Sequence, residues 1–185
     1  MAQAYIVLRN RPHAGRVWLR PAPRGPAEEA AFRQAEADGH LVALPGGPLG
    51  CTHAADGVYA MAEACNTPWL GHDARMAPGA RVDDGALSVV LVRRKSRLAL
   101  LRGFLRLEHG THVRLPNVEA YACAACAFEP RPRAGAPGAI VEVDGAPLRA
   151  RSIGVTRLLD PAGRPLSVTM AIHPSLAQPT VRPMR

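Results

Sequence analysis

The side chains of this sequence that carry chemistry are few and scattered. Four cysteines stand at 51, 65, 123 and 126, and Cys123-Ala-Ala-Cys126 has the C-x-x-C spacing of a metal knuckle. Its setting argues against a metal. Tyr121 to Phe128 (YACAACAF) reads as a strand, residues three apart on a strand face opposite ways, and no second pair at ligand spacing follows. These cysteines are expected to be small buried hydrophobes. Asp83-Asp84-Gly85 sets two acids side by side. Such a pair suits a turn, because Asp bonds its own backbone and tolerates left-handed φ, and it could also hold a cation. The turn is the expectation, and no metal site is assigned. His53, His72 and His173 suggest neither a triad nor a metal cluster, and Asp144-Gly145 has the form of a hairpin turn.

The elements that would position these groups are mostly short strands. Arg16-Val17-Trp18-Leu19 is strand-like, and Pro21 to Pro26 (PAPRGP) breaks the chain. Glu28 to Ala37 fits a brief exposed helix, and Leu41 to Leu44 a short strand ended by Pro45-Gly46-Gly47-Pro48. Val58 to Cys65 alternates only in places. Ala86 to Val92 is a β-branched run of the kind found in buried strands. Ser96 can cap a helix over 96–109, stopped by Gly110. Tyr121 to Phe128, Ile140 to Val143 and Leu166 to Ile172 complete the strands. Many short strands, frequent turn signals and one prominent helix predict a mainly β domain, a Greek-key-like β-sandwich. The division expected is an Arg/Pro-rich segment over 1–40, a β domain over 41–178 and a tail over 179–185.

The helix near 96–109 carries more apolar surface than packing on one sheet requires. At about 100° per residue, Leu100, Phe104 and Leu107 make one stripe and Leu98, Leu101 and Leu105 a second. Arg102 and Arg106 lie opposite. Either both stripes are core, or one packs on the sheet while the other meets an acyl chain or a partner domain.

Bulk properties exclude some classes. The 185 residues suit one domain with a sizeable core, and a mean hydropathy of -0.04 is ordinary for a soluble protein. There is no apolar run of about 18 residues and no signal-peptide pattern at the first residues. A cytoplasmic protein that can visit a membrane periphery is the expectation. Net charge is +8, and Lys95 is the single lysine among 23 basic residues. The arginine surplus suits phosphates or anionic headgroups, although Arg, Ala, Pro and Gly rising together is also what GC-rich codon usage produces. Basic residues are not interleaved with aromatics, so nucleic acid is not expected as a partner.

Local order also resembles a known family. Ala77-Pro78-Gly79-Ala80-Arg81-Val82-Asp83-Asp84-Gly85-Ala86-Leu87 is similar to the A-P-x-A-x-x-D-D-G-x-L passage of the sphingosine-kinase and diacylglycerol-kinase superfamily. Ser96 to Leu105 (SRLALLRGFL) resembles the S-R-x-x-L-L-R-x-F-L helix of sphingosine kinases, and Glu108-His109-Gly110-Thr111-His112 its E-x-G-x-H sequel. Ala127-Phe128-Glu129-Pro130, Gly138 to Gly145 and His173-Pro174 resemble the A-F-x-x-E-P, G-x-x-x-V-D-G and V-H-P motifs that follow. The order holds from about residue 41 to 178 and corresponds to the C-terminal domain of these lipid kinases.

The resemblance implies a β half that builds the pocket for a sphingoid base or related lipid and approaches the nucleotide, with ATP and Mg²⁺ as cofactors. By this likeness Leu100, Phe104, Leu107 and His112 line the acyl-chain site, while Asp144 and Gly145 approach the nucleotide. The family's S-G-D-G loop has no counterpart here, because the sequence contains no Gly-Asp-Gly, and Gly46-Gly47-Pro48-Leu49-Gly50 lacks the acid. Ala146 stands where the family has Glu, residues 149–165 lengthen the last hairpin, and Asn66 to Gly71 keeps only Leu-Gly of an S-H-L-G-like turn. No catalytic residue is therefore assigned. The expected role is the C-terminal part of an ATP-dependent lipid kinase that needs an N-terminal kinase domain for activity. The alternative is a non-catalytic β-sandwich that binds lipid or a partner.

Overall fold

The β-branched run predicted as a buried strand organises the molecule. In a computed structural model it forms β4 (Leu87–Arg93), with Leu87, Val89 and Leu91 buried on one face and Ser88 and Val90 on the other. Such two-sided burial explains why the run is continuously apolar rather than alternating. The structure describes residues 13–131 and the strand backbones over 140–143, 146–149, 153–159 and 165–171.

β4 pairs antiparallel with two long strands, β3 (His53–Cys65) and β5 (Val118–Pro130). β1 (His13–Pro21) lies between the same two strands, against residues 53–59 of β3 and 123–130 of β5. The pairings β1–β3–β4–β5–β1 therefore close into a ring, and β5 returns beside β1 in the manner of a Greek key. The short β2 (Val42–Ala43) adds to β3, and β8 (Ile153–Leu159) and β9 (Pro165–Ala171) continue the sheet from β5. β6 (Ile140–Val143) and β7 (Ala146–Arg149) form a separate two-stranded sheet. The domain is mainly β and β-sandwich-like, as predicted.

One core fills the ring. Val17 and Leu19 of β1, Ala55 and Tyr59 of β3, Leu87, Val89 and Leu91 of β4, and Tyr121, Cys123 and Cys126 of β5 pack together. The helix α1 (Pro26–Ala37) adds Phe32 and Ala35, with the Phe32 ring 5.0 Å from that of Tyr121. Burying Phe32 is favourable by about 1.5–3 kcal/mol. α1 starts at Pro26, where a missing N–H costs nothing, and Glu28 reaches back to the Arg24 N–H at 2.6 Å.

Both long strands carry one extra residue near the place where they exchange β1 for β4. On β3 Tyr59 pairs with Arg93 and Met61 with Val92, which leaves Ala60 extra. On β5 Ala125 pairs with Arg20 and Cys123 with Pro21, which leaves Ala124 extra. Each bulge shifts the two-residue period by one. Cys123 and Cys126 consequently face the same core, contrary to the expectation from uniform strand alternation. They and Cys51 are fully buried. Burial pushes the Cys51 thiol up to about 11 and the Cys123 thiol well above its ordinary range.

The helix expected over 96–109 is shorter as a regular α-helix. α2 spans Arg97–Phe104, and the Ser96 hydroxyl accepts the Ala99 N–H as its cap. The chain then keeps turning to Gly110, whose φ is 65°. Bonds from Gly110 N–H to the Leu107 carbonyl and from Thr111 N–H to the Arg106 carbonyl make a Schellman stop. A Cβ at Gly110 would lie 2.5 Å from Pro78, so both conformation and space call for glycine there.

Candidate functional site

The bulge at Ala60 turns Met61 away from the ring core and onto the face shared with Val92 and Val118. These three pair across β3, β4 and β5 and form an apolar floor. α2 stands over one side of it, presenting Leu100, Gly103 and Phe104, and Leu107 follows in the turns beyond. The loop between β3 and β4 closes the other side with Leu70, Ala74 and Met76. This loop is held by the Leu70–Ala74 bridge and by the Arg75 N–H, which donates to the Leu107 carbonyl at 3.0 Å. Between them lies a cavity of about 490 Å³, within the usual range of small-molecule sites.

All four residues expected on the acyl-chain site, Leu100, Phe104, Leu107 and His112, border this cavity. The two leucine stripes separate: the first faces the cavity, whereas Leu98 and Leu105 of the second are 74% and 71% exposed. α2 itself has no buried residue, whereas Leu107 beyond it packs against the cluster of Met76, Ala77, Ala80 and Val90. His112 is the second residue of the 3-10 turn Thr111–Arg114 and is 2% exposed. Its Nε2 lies 3.0 Å from the Met76 carbonyl oxygen, and burial holds its pKa below the ordinary value. His72 and Asp73 supply polar groups on the exposed loop tip.

Sequence reasoning missed the floor and the loop wall. Met61 and Val92 gave only a strand signal, Val118 lay outside the strand expected over 121–128, and the face of Met61 depends on the bulge. Met76 and Asn117 carried no signal of their own; Asn117 is buried and directs its amide nitrogen to the Arg93 carbonyl at 3.4 Å.

The other candidate groups lie elsewhere. Asp83-Asp84-Gly85 is a turn with Gly85 at φ 71°, in which Asp84 accepts the Ala86 N–H at 2.9 Å. Asp84 is also paired with Arg24, and Asp83 with Arg81 at 3.1 Å. Carboxylates engaged in this way by arginines do not fit Mg²⁺, and no step runs through a metal here. Among the described residues no three His, Cys, Asp or Glu side chains gather into a metal-binding group. His53 bonds Glu36 at 3.0 Å, while His173 lies outside the described residues. Asp144 and Gly145, expected near the nucleotide, also lie outside them; the flanking pair Val143–Ala146 joins β6 to β7. No helix among the described residues is long and apolar enough to cross a membrane.

Comparison with known proteins matches the same stretch of chain. Residues 37–158 fit the model of the YegS C-terminal NAD kinase beta sandwich-like domain. Human sphingosine kinase 2 is 38% identical over 119 residues, which cover 60% of this chain and 18% of that protein. Sphingosine kinase 1 of Arabidopsis thaliana is 33% identical over 82 residues, covering 43% of this chain and 17% of that protein. The chain thus spans less than a fifth of the length of either relative. With the family model covering well over half of the chain and the sandwich-like sheet in place, the chain belongs to the YegS C-terminal NAD kinase beta sandwich-like domain family, the C-terminal domain of the lipid-kinase superfamily.

Proposed function

We propose that this domain holds the hydrocarbon chain of a sphingoid base or related lipid while an ATP-dependent kinase, to which it contributes the C-terminal part, phosphorylates the headgroup. The observation that carries this reading is the convergence of Leu100, Phe104, Leu107 and His112 on one apolar cavity between α2 and the sheet. Burial of each methylene is favourable by about 0.8 kcal/mol, so ten would give about 8 kcal/mol before the costs of ordering the ligand. The domain's own contribution is to grip the chain, exclude water and fix how far the headgroup projects. ATP with Mg²⁺ would supply the phosphoryl group and neutralise its charge. An N-terminal kinase domain is the expected partner for that step, and an anionic membrane surface the expected source of lipid.

Phe104 is the test residue because it faces the cavity without being core. Phe104→Arg is expected to reduce sphingosine binding to the 185-residue chain at least about thirtyfold, since an unpaired charge would line an apolar slot. Circular dichroism should stay unchanged. Equal binding by the variant removes α2 from the site and the reading with it. Ala146, in place of the acid that the resemblance implies, favours a second reading in which the domain binds lipid or a partner without taking part in transfer. Sphingosine binding combined with no phosphorylation by the complete kinase would select it.

A further inference from the structure

Leu98 and Leu105 are the two most exposed large apolar side chains among the described residues. They stand near the start and at the C-cap of α2, seven residues apart, and so share one face of the helix. That face is roughly opposite Leu100, which borders the cavity. Neither leucine belongs to a core cluster, so packing does not account for them. Their surroundings are strongly basic. Between residues 94 and 114 stand Arg94, Lys95, Arg97, Arg102, Arg106 and Arg114 against the single acid Glu108. All of these cations except Arg106 are exposed. No carboxylate among the described residues forms an ion pair with them, whereas Arg16, Arg24, Arg33 and Arg81 each hold one. A short helix with leucine on its solvent side, set in a field of unmatched cations, fits a surface that is anionic at its boundary and apolar just beneath.

We propose that the outer face of α2, Leu98 and Leu105 within this arginine-rich surround, docks on the anionic surface of a lipid bilayer. A bilayer is chosen over a protein partner because the opposite face of the same helix walls the cavity, a choice that rests on the cavity being a lipid site. The two leucines enter the interfacial layer, and the arginines meet headgroup phosphates and carboxylates with their forked donors. Each Lys or Arg near an anionic surface strengthens binding about fivefold, so a few cations and two leucines hold the domain reversibly. Docked this way, α2 alone separates the cavity from the headgroups, a thickness of about 10 Å.

The experiment is co-sedimentation of the 185-residue chain with sphingosine-free vesicles. These are phosphatidylcholine alone or with about 30% phosphatidylserine, at about 0.15 M salt, where charges more than about 8 Å apart are screened. The native chain is expected to bind the anionic vesicles at least about tenfold more tightly than the neutral ones. Leu98→Gln with Leu105→Gln, and separately Arg94→Ala with Arg97→Ala, should each weaken that binding about tenfold. All four side chains are exposed, so the fold should be kept. Arg33→Ala with Arg131→Ala removes the same charge from α1 and the end of β5, and should leave binding within about twofold. Equal loss from the two arginine pairs traces binding to net charge and overturns the proposal, as does full binding by the leucine variant. A native chain that ignores the vesicles, or that instead dimerises and is returned to monomer by the leucine pair, also overturns it and gives the face to protein. Sphingosine uptake from solution, measured with vesicles absent, separates the two readings. Uptake without vesicle binding leaves the cavity and removes the docking face, whereas vesicle binding without uptake leaves the face and removes the lipid reading of the cavity.

Discussion

Arg24 is the residue on which three separate pieces of the chain depend. Its guanidinium is 19% exposed and pairs with Asp84 of the β3–β4 loop, with Glu28 of α1 at 2.9 Å, and with the Ser88 hydroxyl of β4 at 2.9 Å. Ser88 is a buried hydroxyl, so removal of its donor leaves it unmatched and leaves Asp84 facing a hole. Arg24→Ala is expected to lower unfolding stability by about 2–3 kcal/mol in urea titration. Arg24→Lys should recover only part, because one ammonium cannot serve three acceptors in the planar fork that arginine provides. By contrast Asp83→Asn should change stability by less than about 0.5 kcal/mol, since its pair with Arg81 is two-thirds exposed on both sides. Equal effects of Arg24→Ala and Asp83→Asn would refute this division of labour around the turn.

At the scale of elements, the stop at Gly110 ties α2 to the wall of the cavity. Its φ of 65° and its contact with Pro78 fix the approach of the β3–β4 loop to the turns that carry Leu107 and His112. Gly110→Ala places a methyl group in a conformation costing about 1–2 kcal/mol and against a ring it cannot displace cheaply. A fall in Tm of about 5–10 °C is expected, with weaker sphingosine binding. Gly79→Ala is the control, because the nearest atom to its added Cβ is 3.9 Å away; a comparable fall there would refute the assignment. Some of this was legible in the sequence. Ser96 and Gly110 announce a cap and a stop by residue type, and the motifs from Ala77 to His112 announce the family. The bulges were not legible. Ala60 and Ala124 carry no glycine, proline or Asx signal, and each reverses the faces of the residues after it. Uniform alternation therefore set Cys126 opposite Cys123 and gave no reason to turn Met61 toward a cavity. The Arg93–Glu119 pair, with Tyr121 donating to the same carboxylate at 3.1 Å, was equally hidden, because strand register brings it together across β4 and β5.

The closed ring sets how the whole molecule responds to pH. β1 and β4 seal both sides of the long strands, and the thiols and phenols lose water there and, for Cys65, against the second apolar cluster, a cost that outweighs the charged neighbours some of them have. Cys51, Cys65 and Tyr59 are pushed up by burial, to about 11, about 12 and about 12 from ordinary values of 9.0, 9.0 and 10.0. Cys123 and Tyr121 are raised by the same cause, the latter also by Glu119. Each group keeps its proton in the folded state over a range where the unfolded chain has already lost it. The unfolded state then binds fewer protons, and stability falls as pH rises. These contributions are complete below the unfolded values of 9.0 and 10.0 and are lost progressively above them. Every group in that window costs about 1.4 kcal/mol per pH unit at full effect. The urea midpoint is expected to fall steeply between pH 9 and 11. Cys51→Ala, which removes one titrating group from a site beside β5, should flatten the slope even if it lowers stability at neutral pH. A midpoint that stays level through this window would mean that the thiols and phenols are reached by solvent, and that the ring is open where the pairings close it.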